Sequence, residues 1–167
     1  MASKSATNTG LPEGFESPFK RVQMIDRNGD SLACVATLTG KTIEEVNKAA
    51  VELGLPARGP YFVDGVMIAK LLMRLGGLVA TNYKEFHSYD ALPPVAILLV
   101  EYNPDTEVGM HVCWHHVKAH GDISSFSYLI DVADWIDPKQ HYNKMLEKYQ
   151  PAYYVEVSAP PAKAKAK

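Results

Sequence analysis

Residues 23–46 read QMIDRNGDSLACVATLTGKTIEEV. A polar turn, Asp26-Arg27-Asn28-Gly29, is followed by a segment of small apolar residues, Leu32 to Leu38. Asn28, Asp30 and Ser31 favour helix N-caps, so a helix is expected over 30–39. Ala33, Cys34 and Ala36 are small enough to let that helix approach its neighbours closely. Gly40 suits a left-handed C-cap, because glycine alone takes positive φ without steric cost. Thr42-x-x-Glu45 is a capping box, and Val46, Ala49, Ala50 and Leu53 follow at helical spacing. The stretch therefore predicts a polar turn, a buried helix, a tight break and an amphipathic helix over 42–53.

Working outward, a third helix is expected over 63–75, apolar on most of its surface and stopped by Gly76-Gly77. A short strand is expected over 78–81, then a loop or short helix from Tyr83 to Pro94. Val95 to Tyr102 is apolar throughout and predicts a strand buried on both faces. Asn103-Pro104-Asp105 is a turn. Further strands are expected over 110–118 and 127–133. Asp137-Pro138 opens a predicted helix over 138–149, with proline at its first position. A last strand is expected over 153–157. On the N-terminal side, Phe19 to Ile25 is expected to be a short strand or an extended lead-in. Residues 1–17, rich in Ser, Thr, Asn, Gly and Pro, predict a flexible arm. Residues 18–158 predict one domain, and 159–167 a disordered Ala/Lys/Pro tail. Helices first and antiparallel strands after make an α+β pattern.

The chain has 167 residues, 47% of them hydrophobic and 22% charged, which is the balance of a globular domain with a core of ordinary size. Its formal net charge of -2 gives no electrostatic footprint for nucleic acid. No apolar run approaches the roughly 20 residues that span a bilayer. The polar N-terminus lacks the apolar core of a secretory signal. Two cysteines, Cys34 and Cys113, make no disulfide scaffold, so free thiols in the cytoplasm are expected.

The 23–46 stretch resembles the opening of the bacteriocin-processing cysteine peptidases, the double-glycine leader peptidases with a papain-like fold. Ala33-Cys34-Val35-Ala36, Leu38-Thr39-Gly40 and Glu44-Glu45-Val46 fit that opening without a gap. The resemblance implies a papain-like fold, an N-terminal helical lobe packed on a C-terminal antiparallel sheet. It puts Gln23 where the family keeps its oxyanion-hole glutamine. Its nucleophilic cysteine falls at position 30, where this chain has Asp30, and the following glycine is Ser31. His111, at the start of a strand, resembles the family histidine. Asp131 resembles the acid that orients it, with Asp137 as its rival.

A thiol peptidase needs a cysteine at a helix N-terminus, a histidine to hold its proton, an acid or amide to orient the histidine and donors for the oxyanion. With a carboxylate at position 30, the expectation is an ion pair with His111 in a degenerate, inactive site made of Gln23, Asp30, His111 and Asp131. Such a domain is expected to bind a peptide or protein partner in its old cleft, with no cofactor, nucleic acid or membrane. An alternative keeps an active peptidase, with Cys34 as nucleophile, one turn beyond Asp30, served by His111 and Asp131 or Asp137. Another alternative uses the alternation of His111, Cys113 and His115, which puts three borderline-soft ligands on one strand face, suited to a zinc ion. Trp135, Tyr149, Tyr153 and Tyr154 are expected to serve core and sheet packing.

Overall fold

Gly29 precedes the first helix, α1 (Asp30–Thr39), in the computed structural model, which describes residues 11–26, 29–58 and 62–160. Asn28, one of the cap candidates, lies outside the described residues. α1 is buried from Asp30 to Leu38, and its small side chains are what allow this, since other elements surround it on all sides. Gly40 ends it at φ 72°, with its N–H on the Ala36 carbonyl. Thr42 and Glu45 form both bonds of the capping box that starts α2 (Ile43–Glu52). Asp64 caps α3 (Gly65–Gly76) by accepting from the Met67 N–H at 2.8 Å. Gly77 closes α3 at φ 62°.

Seven strands follow among the described residues: β1 (Val79–Ala80), β2 (Lys84–Glu85), β3 (Val95–Asn103), β4 (Val108–Val117), β5 (Phe126–Asp131), β6 (Tyr142–Asn143) and β7 (Pro151–Ser158). The sheet order is β1-β7-β3-β4-β5-β6, and every pairing is antiparallel. β2 pairs with β7 beside β1. The molecule is thus α+β: three helices and a seven-stranded antiparallel sheet, with α1 lying against β4.

Both faces of the sheet are covered. Ile97, Cys113, Tyr128, Ile130, Val155 and Val157 pack with the helices into the larger core. The alternating partners Ala96, Leu98, Val100, Val112, Trp114 and Leu129 form a second core under Tyr89, Leu92, Leu146, Tyr149 and Tyr154. This is why β3 reads as a continuous apolar run.

Two expectations need correction. The segment 138–149 is not one helix. It forms a 3-10 turn at Pro138–Gln140, then β6, then a second 3-10 turn at Leu146–Lys148. Tyr142 and Asn143 are buried against β5, and pairing plus burial there outweighs helix propensity. The flexible arm expected over 1–17 does not hold for its described part, residues 11–17, which packs on the sheet. Phe15 meets Phe126 edge to face at 4.9 Å, and Ser17 Oγ lies 2.5 Å from the Tyr128 hydroxyl. Residues 1–10, and 161–167 of the tail, lie outside the described residues. Of the two readings for 19–25, a short strand or an extended lead-in, the second is the one observed. The lead-in is held by Arg21, whose Nε donates to the Asp131 carbonyl and Nη2 to the Ala133 carbonyl, both at 2.5 Å.

Candidate functional site

Asp30 is the first residue of α1, and its carboxylate is aimed at the sheet instead of capping its own helix. Oδ2 accepts from the His111 backbone N–H at 2.6 Å and stands 2.7 Å from His111 Nδ1. Both residues are buried, at 6% and 8% exposure. The far ring nitrogen, Nε2, is 2.7 Å from the Tyr83 hydroxyl. A carboxylate can only accept, so Nδ1 carries a proton. Burial pushes the Tyr83 phenol well above its ordinary value, and the nearby Asp30 charge pushes it the same way. The phenol therefore keeps its proton and can donate to Nε2 of a neutral ring. An imidazolium fits the same positions, with Nε2–H donating to the phenol oxygen.

The row Tyr83–His111–Asp30 lies on the wall of an open cleft of about 420 Å³. The sheet builds its floor by register: Tyr153 pairs with Leu99 and Leu99 with His111, so one cross-strand row from β7, β3 and β4 faces the opening. The β3–β4 hairpin adds Tyr102, Glu107, Val108 and Gly109 to the lining, and the lead into α3 adds Phe62 and Val63. Two glycines permit the close approaches around it. A Cβ on Gly65 would collide with the Asn82 side chain and press on the Tyr83 ring at 3.1 Å. A Cβ on Gly109 would meet the Val100 carbonyl oxygen at 2.8 Å. Glu107 sits at φ 56°, a left-handed conformation that a residue with a Cβ adopts at a cost.

The other expected site residues lie elsewhere. Asp131 pairs with Val112, the neighbour of His111, so strand alternation sends its side chain to the opposite face from the imidazole. There Oδ2 accepts from the Tyr149 hydroxyl at 2.8 Å and Oδ1 from the Ala133 N–H at 3.0 Å. Asp131 therefore does not orient His111. Asp137 does not either: it is exposed and caps the 3-10 turn through the Lys139 N–H. Gln23 is exposed and lines no part of the cleft. Its Oε1 faces Arg21 Nη1 at 3.4 Å.

Cys34 is fully buried in the larger core, and burial drives its thiol well above the ordinary range, with the Cys113 thiol adding to the rise. Cys113 is 1% exposed and directs its sulfur at the Cys34 carbonyl, 3.7 Å away. Neither is a nucleophile open to substrate. His111, Cys113 and His115 do share a strand face, but each is engaged separately. His115 Nδ1 is 2.9 Å from the Tyr128 hydroxyl, with Phe19 edge-on at 5.1 Å. Among the described residues no group of three or more His, Cys, Asp and Glu is arranged to hold a metal ion. No helix among them is long and apolar enough to cross a membrane.

Of the C-terminal aromatics, Tyr154 packs in the second core and Tyr149 holds Asp131, while Trp135 is 63% exposed and Tyr153 lines the cleft. Sequence reasoning missed Tyr83, Tyr102 and Glu107. Tyr83 stands 28 positions from its imidazole partner in a segment without periodicity, and no local pattern marks it. No family model matches the chain, and no curated protein matches it either.

Proposed function

We propose that this chain is a papain-like domain that has given up catalysis and binds a peptide segment of a partner in the cleft above Asp30 and His111. One observation carries the reading. An acid at the tip of the buried first helix is bonded to a sheet histidine, on the wall of an open cleft, while both thiols are buried. The carboxylate occupies the position in which a papain-like enzyme would need a thiolate. It is a poor nucleophile toward an amide, and His111 is already engaged at both nitrogens. What persists is a concave surface with apolar walls and a few convergent polar groups, the usual character of a ligand site.

The resemblance to leader peptidases supplies the first probes. Fluorescent leader-type peptides ending in Gly-Gly are titrated against the protein, with anisotropy as the readout and mass spectrometry to follow the peptide. Saturable binding of intact peptide is expected, weakened in a Phe62→Ser/Val108→Ser double variant. Both residues are exposed, at 72% and 62%, so the variant should fold. Cleavage that disappears in Cys34→Ala would overturn the reading in favour of an active thiol peptidase.

A further inference from the structure

The cleft has a composition that its degenerate peptidase site does not require. Four aromatic rings line it: Phe62, Tyr83, Tyr102 and Tyr153. Three of them are in contact with one another. Tyr102 and Tyr153 are perpendicular, with centroids 5.5 Å apart, and Tyr83 meets Tyr153 at 68° and 6.5 Å. Two carboxylates, Asp30 and Glu107, also line the space, and among the described residues no lysine or arginine does; the one basic side chain in the described lining, His111, is bonded to Asp30. Asp30 is occupied by His111, whereas the Glu107 carboxylate has no ion-pair partner among the described residues. Glu107 holds this position on the hairpin in a left-handed conformation, its N–H on the Asn103 carbonyl at 2.8 Å.

Resting on the peptide-binding reading above, we infer that the cleft selects a cation: the ammonium group of a lysine, or of a methylated lysine, in the bound peptide. The faces of aromatic rings carry negative potential, and several rings around one space attract an ammonium, above all one whose methyl groups also gain from apolar contact. Glu107 adds charge complementarity at the rim. An acidic or phosphorylated side chain would meet the Glu107 carboxylate, with His111, the basic group of the described lining, already bonded to Asp30. An aliphatic side chain would gain nothing from the Glu107 carboxylate, which is exposed and stays solvated.

The test uses the full-length protein and one leader-type peptide scaffold with a single varied position: lysine, trimethyl-lysine, norleucine or glutamate. Anisotropy titrations are expected to give about five- to tenfold tighter binding for the two cationic peptides than for norleucine, with glutamate weakest. Glu107→Gln should remove most of the preference for lysine over norleucine. Tyr102→Leu should reduce the trimethyl-lysine preference. Equal saturable binding of all four peptides overturns the cation inference while the peptide cleft stands. Absence of saturable binding by any of them overturns both.

Discussion

The Asp30 carboxylate and His111 are joined twice, once through the backbone N–H and once through the ring, both at a single oxygen. This pair pins the tip of α1 to β4. Removing the acid leaves a buried N–H and a buried imidazole nitrogen without their acceptor, and each such loss costs roughly 1–3 kcal/mol. Asp30→Ala is expected to destabilise the fold by about 3 kcal/mol, lowering Tm by about 6–12 °C for a chain of this size. Asp30→Asn keeps one acceptor oxygen and should lose about half as much. Thermal unfolding followed by circular dichroism measures both. A double-mutant cycle with His111→Ala should show that the two side chains are coupled.

The same position tests the papain-like reading by restoring a thiol. In Asp30→Cys the sulfur would sit at a helix N-terminus beside an imidazole, an environment that lowers a cysteine pKa. We expect this variant to react with iodoacetamide near neutral pH at least about tenfold faster than an ordinary exposed thiol. The unaltered protein, with Cys34 and Cys113 buried, should show no fast thiol until denatured and two afterwards. A slow, single-rate reaction in Asp30→Cys would detach the site from thiol-peptidase geometry.

Legibility in the sequence followed the range of the interactions concerned. The C-cap of α1 and the capping box of α2 rest on contacts within four residues, and Gly40, Thr42 and Glu45 announced them directly, whereas the N-cap of α1 is Gly29 and not Asp30 or Ser31. The double burial of β3 was visible in its unbroken apolar run. Register was not visible. Spacing put Asp131 one hairpin away from His111, but only the pairing with Val112 reveals that it faces the other side of the sheet. Tyr83 reaches His111 because Gly65 lets its segment lie against the start of α3, a tertiary fit with no local signature. The helix expected over 138–149 failed for a similar reason, since β5 offered Tyr142 and Asn143 a pairing edge that propensity cannot foresee.

Acid should weaken the fold through two histidines. Burial lowers the pKa of His115, with neighbouring His116 adding to the effect. Burial likewise lowers that of His141, and Arg21 acts in the same direction. Both are therefore easier to protonate in the unfolded chain, where histidine titrates near about 6.5. Their contribution is complete above that pH and is lost as pH falls through the lower, folded values. Tm should decline below about pH 6.5, and His115→Phe should flatten part of that decline. A decline of unchanged depth in His115→Phe would remove His115 from the account.

Glu107 provides the clearest conflict between stability and binding. Its left-handed backbone costs about 1–2 kcal/mol that glycine would not incur, while glycine gives back part of this through its freer unfolded state. Glu107→Gly should therefore stabilise the protein by about 1 kcal/mol, raising Tm by about 2–4 °C. The same change deletes the unpaired carboxylate from the cleft lining, so cationic peptides should bind several-fold more weakly. A residue kept for structure alone would give no such opposition, because glycine at this turn would improve folding without any loss. Calorimetry and anisotropy on the one variant measure both quantities. If stability rises and affinity for the lysine peptide is unaltered, the strained carboxylate has no part in recognition.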